Sequence, residues 1–128
     1  MNTDDVGRAH LNSITEKIIG AAMKVSNTLG CGLLEKVYEN ALIVEMRRRG
    51  LQVAQQVAME VTYEGVVVGN FVADLLLANT VLVEFRVVEA FATSHFAQCL
   101  NYLRATGLPL CLLPNFGKPR LQFKRFVY

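Results

Sequence analysis

Between Phe71 and Glu89 the chain reads FVADLLLANTVLVEFRVVE: two apolar β-type runs joined at Ala78-Asn79-Thr80, with Asp74, Glu84 and Arg86 set inside them. No other stretch constrains the fold as tightly, because a charge within an apolar run is costly unless it is paired or ligated. A hairpin centred on Asn79 sets Leu77 against Val81 and Asp74 against Glu84. Directly opposed residues of an antiparallel pair point to one face. Glu84 and Arg86 are two apart and share that face as well. A one-residue slip would change the partner of Glu84 but not its relation to Arg86. Leu75, Leu76, Val83, Phe85, Val87 and Val88 are apolar on both faces, which predicts an interior strand. Two carboxylates there repel each other and lose hydration. Arg86 can neutralise one of them, and a divalent cation can neutralise both. Hard oxygen ligands suit Mg²⁺ or Mn²⁺ rather than zinc. A buried ion-pair cluster of Arg86 with Asp74 or Glu84 explains the same residues equally well at this point.

The 128 residues suit one domain with one core. Apolar residues make up 52% of the chain and mean hydropathy is +0.31, so much of it must be buried, with room for a homo-oligomer interface. A net charge of +2 does not signal nucleic acid in bulk, and such a partner needs a local basic patch. No run of about 18 apolar residues predicts a membrane span. The N-terminal MNTDDVGRAHLNS is polar and acidic, unlike a secretory signal. Cys31, Cys99 and Cys111 are odd in number and form no CxxC pair, which predicts reduced thiols in a cytoplasmic protein, with Cys99 and Cys111 in the core.

Residues 1–10 read as a flexible tail and 11–128 as one domain. Leu11, Ile14, Ile18, Ala21, Ala22, Val25 and Leu29 have helical spacing, with Asn12 or Ser13 as a cap and Glu16 completing a capping box. Gly30 and Gly32 end that helix. A second helix is expected over 33–49, ended by Gly50. Its Arg47–Arg49 triplet suits the helix dipole, with phosphate contact as the alternative. Strands are expected at 53–63, 66–68, 71–77 and 81–88, a third helix at 93–106, and strands at 109–113 and 121–127. Pro114 to Gly117 reads as a turn. Glu89 is expected to cap the third helix or face solvent, and His95 to be a surface or packing residue. The order is α-α-β-β-β-α-β-β: an α/β fold with a mixed sheet flanked by helices.

Asp74, followed on the next strand by Glu84-Phe85-Arg86, resembles the signature of the PD-(D/E)XK nuclease superfamily. Gly32-Leu33-Leu34-Glu35-Lys36-Val37-Tyr38 is similar to the GxxExxY motif of a small bacterial family within it. Gln98-Cys99-Leu100-Asn101-Tyr102 resembles the QxxxY motif of its RecB-like branch, and Asn115-Phe116-Gly117 extends the likeness. The resemblance runs from about Ile14 to Val127 and implies a restriction-endonuclease-like sheet. It also implies roles. Asp74 and Glu84 would ligate Mg²⁺, with Mn²⁺ as substitute. Glu35 would reach the metal directly or through water, and the Phe85 carbonyl would add a ligand. Gln98 and Tyr102, one helical turn apart, would orient the Glu84 strand or a phosphate. Arg86 stands where the pattern has lysine.

The implied reaction is metal-dependent hydrolysis of phosphodiesters in nucleic acid, DNA before RNA. Arginine stays protonated and is a poor base, though it can donate to a phosphate or to a developing charge. It can also fork onto Asp74 or Glu84 and fill the metal site. Two alternatives therefore stand beside the nuclease: an inactive nuclease-fold module that binds nucleic acid, and a protein-interaction or oligomerisation domain. Arg47–Arg49, Arg104, Lys118, Arg120, Lys124 and Arg125 supply basic surface for the first two.

Overall fold

The computed structural model describes residues 3–128, with side chains from Gly7 onward. The elements are α1 (Thr3–Leu29), α2 (Glu35–Arg48), β1 (Val53–Tyr63), β2 (Val66–Leu77), β3 (Val81–Val83), α3 (Thr93–Thr106), β4 (Leu110–Asn115) and β5 (Gln122–Val127). Their order is the one the hydrophobic periods predict. β1, β2 and β3 form an antiparallel meander. α3 carries the chain across to β4, which lies parallel to β3, and β5 returns antiparallel to β4. The sheet order β1-β2-β3-β4-β5 puts β3 in the centre of a mixed sheet. Leu77 pairs with Val81, Leu76 with Leu82 and Leu75 with Val83, the register of a hairpin centred on Asn79. Ala78 and Asn79 both take left-handed φ, 51° and 54°, which lets the chain reverse within three residues.

Two cores sandwich the sheet. Ile14, Ile18 and Val25 of α1 and Tyr38, Leu42 and Met46 of α2 pack on Leu75, Leu77, Val83 and Leu112. Cys99 and Leu103 of α3 pack on Leu82, Cys111 and Leu113 from the other side. Cys99 and Cys111 are buried free thiols and Cys31 is an exposed one. Lys24 of α1 pairs with Glu45 of α2 at 3.2 Å, tying the two helices together. Among the described residues no helix is long and apolar enough to cross a membrane.

The first helix begins eight residues before Leu11, so the expected tail is helical from Thr3; Met1 and Asn2 lie outside the described residues. Gly7 to His10 are exposed, so this first part of the helix shows no apolar period to read. No proline interrupts it, and a lone Gly7 lowers propensity by only about 1 kcal/mol. Asn12 and Ser13 are therefore helix interior, not caps. Two other boundaries move. Pro114 and Asn115 belong to β4 rather than to a turn, because Asn115 pairs with Gln122 and Arg86 bridges to Asn115. β3 ends at Val83, not Val88. From Glu84 onward the backbone bonds to β4 and the residue after it: Glu84 N–H to Leu112 O at 3.0 Å, Arg86 N–H to Pro114 O at 3.0 Å, and Phe116 N–H to Arg86 O at 2.8 Å.

The ladder between β2 and β3 stops at Asp74 for a local reason. Gln55 pairs with Leu75 and Val57 with Ala73, which leaves Gln56, at φ 51°, opposite Asp74. The faces of β2 exchange there. Phe71 and Ala73 serve the α3 core, whereas Leu75 and Leu77 serve the α1/α2 core. A kink of this kind re-aims side chains and ends regular pairing.

The Arg47–Arg49 triplet sits at the C-terminal end of α2, where Arg48 pairs with Glu45 at 3.2 Å. The Arg49 guanidinium lies against Gly20, where an added Cβ would stand 3.0 Å from Nη1. Glu35 begins the same 14-residue helix, which is about 20 Å long, so the triplet stands far from it and serves the dipole and the α1–α2 contact.

Candidate functional site

Where the ladder stops, a side chain replaces it. The Asp74 N–H donates to Glu84 Oε1 at 3.1 Å. The two carboxylates thus meet across the hairpin, on the α3 side of the sheet. Arg86 comes up beside them from the same strand. Its Nη1 stands 3.5 Å from Asp74 Oδ2 and 3.9 Å from Glu84 Oε2, and donates to the Phe85 carbonyl at 2.8 Å. One nitrogen therefore lies among three oxygens: two from the expected carboxylates, and one from the carbonyl expected as a further ligand. The other nitrogen, Nη2, donates to Gln98 Oε1 at 2.7 Å, and the Gln98 amide donates to the Tyr102 hydroxyl. The (i, i+4) spacing on α3 makes that last bond. Tyr102 is fixed in turn by its stack on Phe71, with centroids 4.0 Å apart. Gln98 thus bonds Arg86, two residues after Glu84 on the same segment, and Tyr102 backs Gln98.

Electrostatically the site is short of positive charge. Burial pushes Glu84 up to about 9, and the charge of Asp74 beside it adds to the rise. Asp74 is raised too, again by burial first, although its bond with Glu84 and the Arg86 charge pull the other way. One guanidinium does not offset the burial of both acids, so the pair as a unit titrates above the ordinary carboxylate range. Glu35 is exposed on the first turn of α2, and it does not join the pair. Among the described residues no three His, Cys, Asp or Glu side chains cluster closely enough to hold a metal ion. Its carboxyl is nonetheless raised, by burial and by the charges of Asp74 and Glu39, against the pull of Arg86.

The rest of the motif residues build the frame. The Tyr38 hydroxyl donates to Gly30 O at 2.7 Å and accepts from Leu33 N–H at 3.1 Å, closing the loop between α1 and α2. Its ring stacks on Phe116 at 4.6 Å. Glu35, one turn earlier on α2, is therefore held in a fixed relation to the end of β4. Asn115 is fully buried and brackets Val88, accepting from its N–H at 3.0 Å and donating to its C=O at 2.9 Å. The same Asn115 oxygen accepts from Gly117 N–H at 2.9 Å. A Cβ on Gly117 would lie 2.2 Å from Val88 O, so only glycine allows this approach. Asn115-Phe116-Gly117 is thus the clamp that holds the Glu84–Val88 segment straight beyond β3.

Sequence reasoning did not single out Glu39. It is 4% exposed, accepts from the Gln55 and Gln56 side chains, and pairs with Lys36 at 3.3 Å. It ties α2 to the kink that faces Asp74. Its place one turn after Glu35 is visible in the sequence; its partners on β1 are not. Glu89 is exposed and does not cap α3. His95 does part of that work, its Nδ1 accepting from Ala92 N–H at 3.0 Å.

The donor set fits a hard divalent cation. Two carboxylates and a carbonyl, all hard oxygen donors, already surround a positive nitrogen. For a cation to bind there, Arg86 Nη1 must withdraw. A family model described as the PD-(D/E)XK nuclease superfamily matches residues 12–126. No curated protein and no solved structure matches the chain.

Proposed function

The chain belongs to the PD-(D/E)XK nuclease superfamily, and from that premise we propose that it hydrolyses phosphodiester bonds in nucleic acid, DNA first, with a divalent cation held by Asp74, Glu84 and the Phe85 carbonyl. The GxxExxY likeness of Gly32, Glu35 and Tyr38 supports placing it in that smaller family. The observation that carries the reading is the convergence of Asp74 and Glu84 around one positive nitrogen in an apolar sheet. Mg²⁺, or Mn²⁺ in its place, would supply polarisation of the phosphate and a lower pKa for an attacking water. Asp74 and Glu84 bind and fix the position of charge. Arg86, permanently protonated, donates to phosphate oxygens as charge builds, and does not act as a base. Gln98 and Tyr102 hold the guanidinium in line. Glu35, exposed on the first turn of α2 with a raised carboxyl, is in this reading the group that accepts a proton from water.

The test is cleavage of plasmid and oligonucleotide DNA with Mg²⁺ or Mn²⁺, paired with Mn²⁺ binding read by electron paramagnetic resonance. Cleavage and Mn²⁺ binding that both vanish in Asp74→Asn support the reading. DNA binding with no cleavage under either metal ends it.

One observation favours a second reading, an inactive nucleic-acid-binding module: Arg86 Nη1 already occupies the space among the three oxygens. Arg86→Lys separates the two, because activity gained on that change assigns the defect to the arginine. Self-association has its own support. Tyr63, Val66, Val67, Val68 and Val72 are exposed on the β1–β2 arm, and sedimentation reads whether they meet a second copy. The free thiols are consistent with a cytoplasmic setting.

A further inference from the structure

An open cavity of about 490 Å³ lies beside the catalytic cluster rather than over it. Glu89, Phe91 and Phe96 line it from the segment that enters α3, and Lys118, Phe123 and Lys124 from the chain that leads into and forms β5. Phe91 and Phe96 lean together at 5.6 Å, and Phe96 rests on Phe126 at 5.6 Å, so Phe91 is backed by a packed aromatic column. Lys118 and Lys124 make no ion pair among the described residues. The cavity is joined to the cluster by structure already described. Asn115 and Gly117 clamp Val88, Glu89 follows it directly, and Lys118 follows Gly117. Glu89 lies three positions after Arg86, a span of at most about 11 Å. Lys124 pairs with Leu113 of the α3-side core, and Phe96 precedes Gln98 by two residues on α3. The cavity and the carboxylate pair therefore lie on the same side of the sheet.

We infer that this cavity is a subsite for one unpaired nucleotide of the substrate strand, its base against Phe91 and its phosphate on Lys118 and Lys124. The volume falls in the range of pockets that enclose small ligands. The lining supplies both halves of a nucleotide contact: aromatic faces from Phe91 and Phe96, and cations from Lys118 and Lys124. Glu89 comes from the same segment as Phe91, repels phosphate and can accept from a base amino group. A paired base has both faces covered by its neighbours and cannot enter, so the substrate class is single-stranded or frayed nucleic acid. An acidic peptide matches the lysines but gives the aromatic rings nothing to stack and meets Glu89. The location beside a scissile phosphate rests on the nuclease reading; the occupant does not.

The test uses the full chain in EDTA and fluorescein-labelled DNA of one sequence, as a single strand and as a blunt duplex, read by anisotropy. The single strand is expected to bind about tenfold tighter than the duplex. Phe91→Ala is expected to weaken single-strand binding by about 5- to 100-fold, the loss of one base–aromatic stack, with Phe91→Tyr restoring it. Lys124→Gln, on an exposed strand outside the core, is expected to weaken binding and flatten its logarithmic salt dependence by about 0.7. Equal affinity for duplex and single strand overturns the proposal. So does displacement by polyglutamate as readily as by DNA, or an unchanged salt slope in Lys124→Gln. Wild-type protein that binds the single strand but never cleaves it with Mg²⁺ or Mn²⁺ ends the nuclease reading and leaves the subsite standing.

Discussion

Asp74 and Glu84 meet as a backbone-to-side-chain pair: the N–H of one donates to the carboxylate of the other at 3.1 Å, in the place where a ladder bond between β2 and β3 would otherwise form. A carboxylate that substitutes for backbone pairing is fixed in position but poorly hydrated. Its titration and its chemistry both follow from that.

Glu84 makes folding stability depend on pH. Its carboxyl has a folded value of about 9 against an ordinary 4.5. The folded chain then holds a proton that the unfolded chain has released. This contribution is complete below about pH 4.5 and is lost as pH rises toward 9. In Glu84→Gln the amide oxygen keeps the Asp74 N–H bond, and no proton is required. Urea melts of metal-free protein at several pH values should show the fall between pH 5 and 9 flattened in the variant, a window set by the shift itself. A wild-type slope that persists in Glu84→Gln assigns the effect elsewhere.

Arg86→Lys should raise Mn²⁺ affinity by about tenfold, equivalent to about 1.4 kcal/mol. The guanidinium is held at both ends, by the Phe85 carbonyl at 2.8 Å and by Gln98 at 2.7 Å, so it leaves the oxygens reluctantly. A lysine is one point charge on a flexible stem and can swing away. Calorimetric titration with Mn²⁺ reads the difference. Equal affinities for the two proteins mean that the arginine does not hold the cation out.

The Val88 clamp should be sensitive to single atoms. Gly117→Ala puts a Cβ into the Val88 backbone and is expected to cost about 1–3 kcal/mol, the range for forced overpacking. Asn115→Ala removes three hydrogen bonds from a buried site and should cost about 2–4 kcal/mol. In both variants amide exchange at Arg86 and Val88 should accelerate more than exchange in α1. Uniform acceleration across the chain would show global loss rather than release of the clamp.

Tyr38→Phe keeps the ring stacked on Phe116 but strips the hydroxyl from Gly30 O and Leu33 N–H. A cost of about 1–3 kcal/mol is expected, with faster exchange at Leu33 and little change in the sheet. Unaltered stability would mean that water replaces the hydroxyl, and that the loop before Glu35 is set by other contacts.

The sequence by itself determined the element order and the hairpin register, because both follow from short-range periodicities: 3.6 for the helices, 2 for the strands, and a turn whose Asn79 accepts left-handed φ. It also brought Asp74, Glu84 and Arg86 to one face. It left the start of α1 unread, since exposed residues carry no period, and it ran β3 on to Val88, since valines look alike whether one neighbouring strand pairs with them or two. Only the tertiary structure decided where the ladder breaks. That depends on Gln56 across from Asp74, on Glu39 of α2 gripping Gln55 and Gln56 of β1, and on Asn115 of β4 gripping Val88. Only the tertiary structure, too, set Arg86 between the two carboxylates and turned it toward Gln98. These contacts join residues far apart in the chain, and their free energy comes from burying charge that must then find partners in three dimensions.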